Sequence, residues 1–79
     1  MKNAKKVCSL KNLKINKKAK IKEINLSFSY VKRLNLLGIK KGREIEKIGK
    51  IGSLLIFKTK KGFLVLPENL AKEVLVENE

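Results

Sequence analysis

The sequence predicts a mainly β fold: a curled antiparallel sheet of about five strands with one short helix after the first strand. Three observations point there. Short β-prone apolar runs recur along the chain, separated by glycine or lysine–glycine turns. Only one stretch, residues 27–37, carries apolar side chains at helical spacing. The connections are too short for the crossovers that parallel strands require.

Residues 1–8 read as a basic flexible tail and 9–77 as the folded domain. Leu10 and Leu13 are three apart, as in a single helical turn or a packed loop. Lys14-Ile15-Asn16-Lys17 is a turn in which Asn16 tolerates the left-handed backbone. Residues 18–24 then alternate, with Ala19 and Ile21 on one face and Lys18, Lys20 and Lys22 on the other. That is a half-buried strand with a positive outer side.

The helix follows over 27–37, with Ser27 or Ser29 as its cap. Val31, Leu34 and Leu37, or Tyr30, Leu34 and Leu37, form its apolar face. Gly38 stops it, because a helix end favours a residue that accepts positive φ. Ile39 re-enters the core, and Lys40-Lys41-Gly42 turns the chain. Residues 43–48 form the next strand, with Ile45 and Lys47 on one side and Glu44, Glu46 and Ile48 on the other. Gly49 to Gly52 is a loop. Residues 54–59 and 63–66 are two strands joined by Lys60-Lys61-Gly62. Pro67 ends the second, since it cannot donate to a ladder. Residues 68–72 form one helical turn, and Val74 and Val76 alternate in a last strand. A small SH3-like barrel is the natural closure of such a set.

Seventy-nine residues make one small domain with a thin core, which leaves little room for a deep catalytic pocket. There is no histidine, and the single cysteine, Cys8, has no zinc or redox spacing around it. Carboxylates are not clustered, no phosphate-binding glycine loop is present, and no serine has a base beside it. The reading is therefore not an enzyme, with no catalytic residue, no cofactor and no metal ligand. No apolar run reaches the roughly 18 residues of a membrane span, so a reducing, cytoplasmic setting fits.

Net charge is +13, carried by eighteen lysines and only two arginines, Arg33 and Arg43. Such an excess draws anionic partners: an acidic protein, phospholipid head groups or nucleic acid. Phe57 and Phe63 sit in core-like runs and are assigned to packing, which leaves no aromatic platform for stacking bases.

The run Arg33-Leu34, Leu37-Gly38-Ile39, Gly42 and Ile45 is flanked by Leu10 and Leu13, Ala19 and Ile21, Gly52 to Leu55, and Ala71 with Val74 and Val76. This pattern, covering almost the whole chain, resembles the FeoA family, the small cytosolic component of bacterial ferrous iron transport. It departs in three places. Asn16 stands where the family has the first-turn glycine, no proline follows Gly52, and Pro67 lies where an arginine is common.

The resemblance implies an SH3-like barrel that acts through contacts. It makes Leu34, Leu37, Gly38, Ile39 and Gly42 structural motif residues. It also implies a partner: a FeoB-like ferrous iron transporter, met at its cytosolic G-protein or membrane domain, with an anionic membrane surface as a further contact. The expected partner-binding residues are Ser29, Lys32 and Leu36 on one outward helical stripe, Arg33 beside it, and Lys40 and Lys41 in the basic turn. Leu36 would there be an exposed apolar residue ringed by polar ones. A second reading, from charge alone, is a basic barrel that binds nucleic acid through the lysine face of the first strand. The shortage of arginine and of exposed aromatics weighs against it.

Overall fold

The computed structural model describes residues 6–78. Six strands and two helices follow one another: β1 (Val7–Ser9), β2 (Lys18–Ile24), α1 (Phe28–Leu36), β3 (Glu44–Ile51), β4 (Leu54–Thr59), β5 (Gly62–Pro67), α2 (Glu68–Ala71) and β6 (Val74–Asn78). All strands join one antiparallel sheet in the order β1-β6-β2-β3-β4-β5. The sheet curls into an SH3-like barrel around a single apolar interior.

Period-two alternation fills that interior. Ala19 and Ile21 enter from β2, Ile45 from β3, Leu55 and Phe57 from β4, Leu64 and Leu66 from β5, and Val74 and Val76 from β6. Leu10 and Leu13, on the turn after β1, and Leu34 and Ile39, in and just after α1, join the same cluster. Lys47 shares the inner phase of β3 with Ile45, as the alternation predicts. It is 6% exposed, and its ammonium donates to the Lys11 carbonyl at 2.9 Å. Burial, aided by repulsion from Lys50, lowers its pKa.

Asn16 has φ +69°, the left-handed conformation expected of it. The end of α1 is a Schellman closure: Ile39 N–H donates to the Leu34 carbonyl at 2.8 Å and Gly38 N–H to Asn35 at 3.2 Å. Gly38 sits at φ +99°, which only glycine adopts without strain.

Several expectations change. There are six strands, not about five, because Val7–Ser9 pairs with β6, and the helix follows the second strand. The expected tail, 1–8, lies mostly outside the described residues, but Val7 and Cys8 belong to β1. The proposed loop from Gly49 to Gly52 is mostly strand. A register shift between Lys47 and Gly49 absorbs one extra residue, and β3 runs on to Ile51. The turn itself is Gly52-Ser53, with Gly52 at φ +60°. Leu37 is not packed inside: it is 46% exposed, as Tyr30 is at 44%, because Leu34 is the one buried residue of α1, with Val31 and Asn35 half-buried beside it. Phe63 is likewise 70% exposed, while Phe57 is fully buried.

Candidate docking surface

The outer side of α1 is an apolar stripe threaded with cations. Leu36 is 78% exposed and Phe28 76%. Between them Lys32 extends back so that its ammonium lies 5.4 Å from the centroid of the Phe28 ring. Phe28, Lys32 and Leu36 are each four residues apart, so the helical period places them on one side. Ser29 and Arg33 flank the stripe, both exposed. Lys40 and Lys41, in the turn past the helix end, are also exposed and line a depression with Val31 and Asn35. All six residues expected to meet a partner are thus on the surface. Phe28 is the member that sequence reasoning missed, although its spacing to Lys32 was there to be read.

Thr59, on β4, fixes this unit to the barrel. Its hydroxyl donates to the Leu37 carbonyl at 3.1 Å and accepts from the Lys61 N–H at 3.1 Å. Buried Leu34 anchors the opposite side of the helix. A helix held through Leu34, with Val31 half-buried beside it, and through the Thr59 hydroxyl presents a firm base with a largely uncovered outer face.

The electrostatics favour an acidic counterpart. The described ion pairs are Lys22 with Glu77 at 3.5 Å and Lys50 with Glu68 at 2.9 Å, both away from this stripe. Arg33, Lys32, Lys40 and Lys41 enter neither pair.

The lysine face of β2 is different. Lys18 lies opposite Glu46 on β3, and Lys20 lies opposite Glu44 on β3 and Glu77 on β6. Cross-strand carboxylates therefore interleave with those lysines and weaken the continuous positive strip that a nucleic-acid backbone would need. Among the described residues no cluster of three or more His, Cys, Asp or Glu is arranged to hold a metal ion. Cys8 stands apart, and burial raises its thiol pKa, which disfavours the reactive thiolate.

Comparison with known proteins gives a consistent picture. A family model described as the FeoA domain matches residues 8–78. No curated protein matches the sequence. Among solved structures, the crystal structure of an iron uptake regulatory protein (FeoA) superposes with a TM-score of 0.85 at 17% identity, covering 94% of this chain and 100% of that one. The solution structure of FeoA protein from Chlorobium tepidum gives 0.83 at 19% identity, over 89% of this chain and 69% of its own. A FeoA-like protein from Clostridium acetobutylicum gives 0.78 at 28% identity, over 92% and 87%.

Proposed function

This chain belongs to the FeoA domain family, whose membership implies a role in ferrous iron transport, and we propose that it serves that transport as a small accessory protein. It acts by binding a FeoB-like membrane transporter and carries out no chemistry of its own. The observation that carries the reading is the Phe28–Lys32–Leu36 stripe: two large apolar side chains, each more than three-quarters exposed, with a cation between them. Exposed apolar anchors rimmed by charge are the composition of a protein contact surface. Ser29, Arg33, Lys40 and Lys41 supply its polar and cationic rim, which suits an acidic patch on the transporter and speeds encounter.

The protein works in the cytoplasm, at the transporter's inner side. No helix among the described residues is long and apolar enough to cross a membrane. Its charge of +13 draws it toward anionic lipid, which raises its concentration near its partner.

Calorimetric titration of the cytosolic domain of a FeoB-type transporter tests the proposal. Leu36→Asp should keep the native fold and weaken binding about tenfold or more, a loss of roughly 1.4 kcal/mol. Leu34→Asp should unfold the domain, because it places an unpaired carboxylate where the side chain is 4% exposed. Unchanged affinity in the folded Leu36→Asp variant would overturn the docking assignment. Capture of nuclease-sensitive material, lost on adding salt, would favour the nucleic-acid reading instead.

A further inference from the structure

Beside the docking stripe lies a cleft of about 170 Å³, well above the ~10–15 Å³ that one water needs, walled by two stretches of chain, 35–44 and 60–61. The end of α1 and the turn after it contribute Asn35, Gly38, Lys40 and Arg43; the first residue of β3 contributes Glu44; the β4–β5 turn contributes Lys60 and Lys61. Four cations thus face one carboxylate across a small space. Neither described ion pair involves any of them. Bringing like charges together costs free energy that folding alone does not recover. Such an arrangement is stabilised when an anion enters.

The walls are fixed in place. Thr59 Oγ1 bonds the Leu37 carbonyl on one side and the Lys61 N–H on the other, so the helix end and the hairpin turn cannot drift apart independently. Gly38, without a side chain, keeps the floor open. Arg43 is one of only two arginines in a chain of eighteen lysines, and its planar guanidinium offers paired donors that match two oxygens of one phosphorus. Lys40, Lys60 and Lys61 add mobile point charges, and the Asn35 amide a neutral donor. Glu44 leaves the set at a net +3, suited to a multiply charged oxyanion.

We infer that this cleft binds a phosphate or pyrophosphate group. The site uses different residues from the docking stripe except for Lys40, and it does not depend on the docking proposal.

Titrating the isolated protein with inorganic pyrophosphate, followed by amide chemical shifts in moderate salt, tests the inference. Saturable shifts are expected at Gly38, Arg43, Lys60 and Lys61. The double variant Arg43→Gln/Lys61→Gln, exposed at both positions and therefore expected to remain folded, should bind at least tenfold more weakly. Lys60→Gln serves the same purpose should that variant lose its dispersed spectrum. Absent shifts, shifts of equal size at Lys14, Lys18 and Lys20, or unchanged affinity in the folded variants would overturn the site. A second arm assigns the source of the phosphate. Sedimentation with phosphatidylglycerol vesicles, against phosphatidylcholine controls, should fall tenfold in the same variants if the group is a lipid headgroup. Vesicle binding that stays unchanged, while pyrophosphate binding is lost, supports a soluble phosphate compound.

Discussion

Gly38 and Thr59 approach so closely that a Cβ added to Gly38 would run into the Thr59 hydroxyl and Cβ. The same glycine holds φ +99°, so a side chain there is opposed twice, by its backbone and by its neighbour. Gly38→Ala should therefore cost about 3 kcal/mol, measured by urea denaturation. Thr59→Ala removes the hydroxyl, and in the double variant it should return about 1 kcal/mol of that loss. Strict additivity would show that contact with the Thr59 hydroxyl is not the second source of the cost.

Two phenylalanines six residues apart have opposite fates. Phe57 is fully buried in the interior, whereas Phe63 stands 70% exposed with the Lys58 ammonium 5.7 Å from its ring centroid. Phe57→Ala should destabilise by about 3–5 kcal/mol through lost burial and a cavity. Phe63→Ala should cost less than about 1 kcal/mol, since only a solvent-facing cation–π contact is lost. Thermal or chemical denaturation of the two variants distinguishes them, and similar losses would mean that Phe63 packs inward.

The Lys50–Glu68 pair gives stability an acid dependence. A hydrogen bond from Lys50 holds the Glu68 carboxyl below its ordinary 4.5. A carboxylate whose pKa is depressed on folding stabilises the native state above the unfolded value. That stability is lost as pH falls through the lower, folded value. Stability should thus decline as the solution is acidified below about 4.5, and Glu68→Gln should flatten this part of the profile. An equally steep profile in Glu68→Gln would place the acid dependence elsewhere.

The interior was readable wherever polar and apolar residues alternate. Ala19 and Ile21 stand between lysines, and Ile45 between Glu44 and Glu46, so each strand declares its inner face. Even the buried ammonium of Lys47 follows from that phase. The run Phe63-Leu64-Val65-Leu66 has no such contrast. Its phase is set by the pairing of Thr59 with Gly62, which turns Leu64 and Leu66 inward and Phe63 and Val65 out. The exposure of Leu37 was hidden for another reason. Helical spacing says which residues share a side, but not how much of that side the barrel covers. The outward stripe was legible from Leu36, Lys32 and Ser29, while the cleft was not, since it brings the β4–β5 turn against residues 35–44, some sixteen or more positions away in sequence.

Three residues at the front of the fold set a practical limit on trimming it. Val7, Cys8 and Ser9 pair with Glu77, Val76 and Leu75, and the next residue, Leu10, bonds Val74 through its N–H at 2.9 Å. A shortened version starting at Leu10 would leave β6 with a bare rim of amides and carbonyls next to buried valines. Such a rim invites strands from neighbouring molecules. Truncated preparations should therefore clump where longer ones stay dispersed.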